Sequence, residues 1–299
     1  MCSQLNSSNW RASLHGGHSG EYCEHAQGTL PQILDSALAA GYEIFGVSEH
    51  APRLEERFLY PSEVAKGWNV DRLKDDFERY ARALPSLVEE YRGRLSVLRG
   101  FEAEVVPTVS YVEVMRGYRR RFDFDYMVGS VHFVDEIAID GELDEFERAL
   151  EGLSGLERLA VRYYDTVSEM VESLRPEVVG HLDLIRLYGW RFGSLDSSSV
   201  RRAAESTLEV IRRHDCILDL NTAGYRKGLG VPYPAPWLVK RARLLEIDFC
   251  FGDDSHSPVD VGAGLETARS YLLRHGVDHI TTLTREGRSL GRKKIPLGC

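Results

Sequence analysis

Short apolar runs recur along this chain, and each delivers a histidine or a carboxylate before a longer stretch of helical pattern begins. The runs are RASLH, YEIFGV before Ser48-Glu49-His50, LSVLRGF before Glu102, FDYMVGSV before His132, EVVG before His181, CILDLNTAG carrying Asp219 and Asn221, and DFCFG before Asp253-Asp254-Ser255-His256. Continuous apolar segments of about five residues, rich in Val, Ile, Phe and Tyr, mark strands covered on both faces. The stretches between them read as helices. LPQILDSALAAG ends at Gly41, DRLKDDFERYARAL precedes Pro85, GLERLAVRYYDTVSEMVESLR stops at Pro176, and SSSVRRAAESTLEVIRRH opens on serines suited to capping. PAPWLVKRARLLE and GAGLETARSYLLRHG complete the set. The alternation predicts an α/β fold, a βα barrel of about seven strands rather than the usual eight. A doubly wound open sheet is the alternative. It would draw ligands from only the few strands at its switch point, whereas here nearly every strand contributes.

Seven of the ten histidines sit in these motifs: His15, His18, His25, His50, His132, His181 and His256. One histidine after a strand is an ordinary satisfied polar residue. Seven in one repeated setting, interleaved with Glu49, Glu102, Asp183 and Asp254, form the donor set that divalent metals require. In a βα barrel such residues converge at the C-terminal ends of the strands, so the sequence predicts a multinuclear metal site there. His214, His275 and His279 lie near helix ends or tail strands and read as structural.

Composition narrows the remaining choices. A chain of 299 residues with 43% apolar content fits one βα barrel, and no linker, repeat or low-complexity tract divides it. A single domain over 1–299 is expected, with the first ~10 residues and the C-terminal tail GRKKIPLGC peripheral. The net charge of −9 (37 basic against 46 acidic residues) argues against a nucleic-acid backbone as partner. No segment is apolar enough to span a membrane, and MCSQLNSSNWRAS has no apolar signal core. The five cysteines (Cys2, Cys23, Cys216, Cys250, Cys299) show no paired spacing, which fits a reducing cytoplasm, with Cys216 and Cys250 as packed thiols. Oligomeric state is not legible.

Taken in order, HGGHSGEYCEHAQG, VSEHAPR, GFEAE, GSVHF, GHLDL, LDLNTAGYRK, YPAP and GDDSH resemble the polymerase and histidinol phosphatase (PHP) superfamily. NTAG followed by YPAP is similar to its histidinol-phosphatase branch in particular. The resemblance runs from about Leu14 to beyond Gly264 and implies a distorted (β/α)7 TIM-like barrel of PHP type, holding up to three divalent metals (Zn, Fe or Mn). It implies that His15, His18, Glu102 and Asp254 bind one metal, that Glu102 bridges to a second held also by His132 and His181, and that His25, His50 and His256 bind the third. The family's first motif is usually His-x-His, whereas this chain has His15-Gly16-Gly17-His18; two glycines let the backbone bend so that both rings still reach one ion. Glu49 stands where many relatives have Asp. It reads equally as a partner orienting a histidine or as a solvated loop acid, and Asp183 is a further candidate orienting partner.

The implied chemistry is hydrolysis of a phosphoric monoester, with L-histidinol phosphate as the leading substrate in histidine biosynthesis. A metal-activated hydroxide would attack phosphorus, with Glu102, Asp254 and His256 as the catalytic set and no protein nucleophile. No GxSxG or P-loop pattern argues otherwise. Arg53 in HAPR and Arg226-Lys227 in NTAGYRK fall in predicted mouth loops, as phosphate-holding cations or as plain surface charges. The competing readings are a barrel acting on another small phosphate ester or nucleotide, and a non-catalytic metal-binding barrel.

Overall fold

The computed structural model describes residues 10–287 and 289–298; Cys2, Cys299 and the segment MCSQLNSSN lie outside them. Among the described residues the strands are, in chain order, β1 (Ala12–His15), β2 (Ile44–Val47), β3 (Ser96–Arg99), β4 (Glu102–Ala103), β5 (Val128–Gly129), β6 (Phe133–Val134), β7 (Ile137–Ala138), β8 (Val178–Val179), β9 (Ile217–Asn221), β10 (Phe249–Gly252), β11 (His279–Glu286) and β12 (Ser289–Pro296). Eight share one parallel sheet in the order β3-β2-β1-β10-β9-β8-β5-β4.

The two ends of that order are one bent strand, because only Gly100 and Phe101 separate β3 from β4. Hydrogen bonds carry the ladder across the bend: Gly100 N donates to Val47 O, Glu102 N to Glu49 O, and Val128 N to Phe101 O, each at 2.9 Å. The sheet therefore closes on itself with seven staves, the seven apolar runs of the sequence. The open-sheet alternative does not hold.

Tyr126 plugs the barrel and donates from its hydroxyl to Leu14 O at 2.8 Å. The side chain has room there because Gly46 and Gly100 lack side chains: a Cβ at Gly46 would lie 2.2 Å from the Tyr126 hydroxyl, and one at Gly100 2.4 Å from its ring.

Helices cover the outside. Leu30–Ala39 begins with a reciprocal Thr29–Gln32 capping box, and Ser198–Arg213 is capped by the Ser197 hydroxyl accepting from Val200 N. Leu156–Leu174 ends at Arg175 in the left-handed region, just before Pro176. Val70–Glu90 differs from expectation, since it continues through Pro85. Pro85 sits on the exposed face, while Leu84, Leu87 and Tyr91 bury the other side. Packing outweighs one missing amide hydrogen bond there.

The C-terminal tail forms a hairpin: Ser289–Pro296 pairs antiparallel with His279–Glu286, bringing Ile280 opposite Ile295. Ile295 and Leu297 are buried against the core, so the apolar residues within GRKKIPLGC hold it in place. No helix among the described residues is long and apolar enough to cross a membrane.

Candidate metal centre

The site grows out of the C-terminal ends of the staves. β1 ends at His15, and the chain then bends through Gly16 and Gly17, whose φ angles are +149° and +82°. A side chain at Gly16 would strike Asp253 Oδ1 at 2.3 Å, so the first motif needs glycine for both conformation and space. On the neighbouring stave, Asp253 N and Asp254 N both donate to His15 O at 3.0 Å, and Asp254 takes a φ of +49°. These bonds bring Asp254 over the His15–His18 turn.

Glu102, buried at the mouth of the barrel, is the hub. His15 Nε2 lies 3.2 Å from its Oε1, His181 Nε2 3.2 Å and His132 Nε2 3.4 Å. His50 Nδ1 lies 2.9 Å from its Oε2, and His18 Nε2 3.9 Å. Asp254 Oδ1 is 3.6 Å from His18 Nε2, 3.9 Å from His15 Nε2 and 3.7 Å from His256 Nδ1. His18 stacks against His50 and His256 with ring centroids 4.2 Å apart in each case, and His25 stacks on His256 at 4.7 Å. All nine expected donors are thus brought into one cluster.

Three of these rings are held from behind by a carboxylate. His15 donates from Nδ1 to Asp219 at 2.7 Å, His18 to Glu49 at 3.1 Å and His132 to Glu104 at 2.9 Å. In each case the opposite nitrogen, Nε2, is left facing Glu102. His15 Nε2, His18 Nε2 and Glu102 Oε2 are buried without a hydrogen bond among the described residues. Buried polar atoms are rarely left so, and inward nitrogens backed by carboxylates are the arrangement metal ligands adopt.

Charge state agrees. Burial alone would raise the Glu102 carboxyl, but His15, His132 and His50 outweigh it and hold the group well below the usual range. Asp254 is lowered in the same way, burial being overcome by His15 and His256. Burial and the neighbouring His18 push His256 down to about 3, and burial with nearby imidazoles lowers His18 and His25 too. His15 and His50 are raised, burial giving way chiefly to Glu102, and His132 is raised by Asp140 and Glu104. Bound cations would send those protons to solvent. Several overlapping groups of three or four donor atoms lie within 4.8 Å of one another, so the residues fit divalent metal.

Other expected residues fall differently. Glu49 is buried and accepts from His18, Ser19 N and His50 N, so it is not a solvated loop acid. Asp183 does not orient a histidine. The chain turns helically after His181 (Leu184 N donates to His181 O), swinging Asp183 onto Arg186 and Ala235 N, each at 2.9 Å. Arg226 is likewise corrected. It ends the short helix Ala223–Arg226 and braces the loop above, donating to the carbonyls of Asp253 at 2.6 Å and Asp254 at 2.8 Å.

Arg53 and Lys227 do line the cavity of about 210 Å³ that opens beside the histidines. Arg53 pairs with Glu63 and lies over the Tyr60 ring at 4.4 Å. Reading the sequence alone misses Asp219 and Glu104 as orienting residues. A signal exists: Glu104 is two residues beyond Glu102, and Asp219 two before Asn221, so each pair shares one side of an extended segment.

Residues 15–223 match the family model of the PHP domain. The chain belongs to the PHP domain family. Among PHP relatives, a probable histidinol-phosphatase of Schizosaccharomyces pombe is 31% identical over 276 residues, covering 90% of this chain and 88% of its own length. A structure from Listeria monocytogenes, named a putative histidinol phosphatase, superposes with a TM-score of 0.76 at 24% identity, over 86% of this chain and 99% of that one. Another from Lactococcus lactis, complexed with zinc, L-histidinol and phosphate, superposes with a TM-score of 0.68 at 17% identity, over 94% and 99%. These two share the PHP barrel with this chain.

Proposed function

We propose that this protein is a metal-dependent phosphomonoesterase that converts L-histidinol phosphate and water to L-histidinol and phosphate. The observation that carries the reading is the convergence of seven histidines, Glu102 and Asp254 on the mouth of one barrel, beside a small cavity. Zinc, iron or manganese, up to three ions, are the cofactors proposed, with His15, His18, Glu102 and Asp254 at one position, Glu102, His132 and His181 at the next, and His25, His50 and His256 at the third. Such ions supply Lewis acidity and an acidified water.

The chain's own residues do the rest. Glu102 has two oxygens facing different histidines, and it ties the positions to one another. Asp219, Glu49 and Glu104 keep three rings in the tautomer that turns Nε2 inward. Arg53 and Lys227, on the cavity wall, draw in the phosphate. Glu24, Asp140 and Glu142 line the same cavity. These carboxylates suit a substrate whose far end is cationic, as histidinol's amine is, and disfavour a polyanionic nucleic-acid strand. They favour a small phosphoester over a nucleotide end.

The test is phosphate release from L-histidinol phosphate by protein purified without chelator, with metal content read on the same sample. Release that disappears on chelation and returns with zinc or manganese is expected, and Glu102→Gln should lower turnover by about 100-fold or more. Full metal loading without release from this ester, but with release from another member of a phosphoester panel, would replace the substrate and keep the chemistry.

A further inference from the structure

The loop after β1 carries Cys23 two residues before His25, and that thiol faces the histidines rather than the apolar core. Cys23 is buried. Its amide donates to Ser19 O at 2.9 Å, and Gln27 N donates to His256 O at 2.7 Å, so the loop is fastened to the His256 loop at its far end. Cys23 Sγ lies 3.4 Å from His25 Nδ1 and 3.5 Å from its Nε2. His50 Nε2 and His256 Nε2 face each other at 3.3 Å. One donor atom from each of Cys23, His25, His50 and His256 lies within 4.8 Å of all the others. The buried Cys216 sits otherwise, its sulfur 3.8 Å from the carbonyl of His214.

These separations can be compared with what zinc demands. Zn–S of about 2.3 Å and Zn–N of about 2.05 Å at a tetrahedral angle place sulfur and nitrogen about 3.6 Å apart, and two nitrogens about 3.3 Å apart. The Cys23–His25 and His50–His256 distances stand close to those two edges. His50 turns its other nitrogen, Nδ1, toward Glu102 Oε2 at 2.9 Å, which leaves its Nε2 for the third position.

We propose that Cys23 is a fourth protein ligand at the third metal position, giving it a thiolate-and-three-imidazole donor set. The inference rests on the reading of this cluster as a metal centre. Coordination replaces the S–H bond by a sulfur–metal bond, and the proton leaves to solvent. Two consequences follow. The third position selects zinc or cobalt over manganese, because sulfur and imidazole are softer donors than the carboxylates serving the other two. Four protein ligands also close the tetrahedron, which is the mark of a position that holds structure rather than an activated water. The water-activating chemistry is then left to the pair that shares Glu102.

The experiment strips the full chain with chelator, reloads it with cobalt(II) and reads the sulfur-to-cobalt charge-transfer band in the near ultraviolet. Wild-type protein should show the band; Cys23→Ser should lose it together with one bound metal, while Cys216→Ala and Cys250→Ala retain it. Alkylation of wild-type protein with iodoacetamide supplies a measurement that needs no variant: Cys23 should be protected when loaded and modified when stripped. Absence of the band in loaded wild type, its persistence in Cys23→Ser, or equal alkylation of the loaded and stripped forms overturns the proposal. Phosphate release is followed on the same samples. Release without the band removes Cys23 and leaves the phosphatase reading standing, whereas the band without release does the reverse.

Discussion

His15 shows how much one side chain depends on residues far away in the chain. Its Nδ1 is tied to Asp219, 204 positions later, and its Nε2 faces Glu102 and Asp254. The ring is fully buried, so no water competes with these partners for its nitrogens. Asp219→Asn preserves shape but replaces the acceptor that fixes the tautomer. Metal binding should weaken by about 10–100-fold, read as metal retained after equilibrium dialysis, with the folded state checked by circular dichroism. Unchanged retention would mean that Asp219 is only a packed polar residue. Both the histidines and Glu102 stand out in the sequence through their repeated strand-end context. Glu104 and Asp219 are less visible, because a carboxylate inside a strand motif looks the same whether it faces an imidazole or water.

At the scale of elements, the bent strand β3–β4 closes the barrel, and Gly100 lies at the bend. A Cβ at Gly100 would come within 2.4 Å of the Tyr126 ring, which is buried and cannot retreat. Gly100→Ala should therefore destabilise the protein by about 1–3 kcal/mol. Gly117 lies inside helix Tyr111–Phe122, where an added Cβ would meet nothing within 4 Å. Gly117→Ala should be stabilising by up to about 1 kcal/mol through helix propensity. Urea unfolding of the two variants against wild type checks both signs; a harmless Gly100→Ala would show that the plug is looser than the contacts imply. The seven strands and most helix boundaries are legible because apolar runs and capping residues are local signals. The passage of Val70–Glu90 through Pro85 is not, since it depends on which face of the helix the core covers.

Across the whole molecule, the C-terminal hairpin is tied back to the barrel. Lys294 on β12 pairs at 3.0 Å with Asp248, which immediately precedes β10. Burial alone would raise the Asp248 carboxyl, but Lys294 and Thr281 outweigh it and lower it. A carboxyl lowered in the folded state stabilises the fold at pH values above its unfolded pKa. That contribution is lost as pH falls through the lowered folded value. Asp248→Asn should thus lower the thermal midpoint at neutral pH, and the gap from wild type should shrink as the solution is acidified below the ordinary aspartate range. A gap that stays constant with pH would mean that the pair contributes nothing through ionisation.

By itself the sequence determined the α/β alternation, about seven staves and a set of strand-end histidines and carboxylates, from which the resemblance to the PHP superfamily implied the nine candidate donors. Period, turn residues and strand-end histidines are properties of short segments, and they survive without knowledge of the fold. Only the tertiary structure decided which nitrogen of each ring faces inward, that Arg226 and Asp183 brace loops, that the tail pairs as a hairpin, and that Cys23 stands among three imidazoles. Each of these depends on contacts between segments brought together when the barrel closes, and the burial created by that closure decides which polar atoms must find a partner.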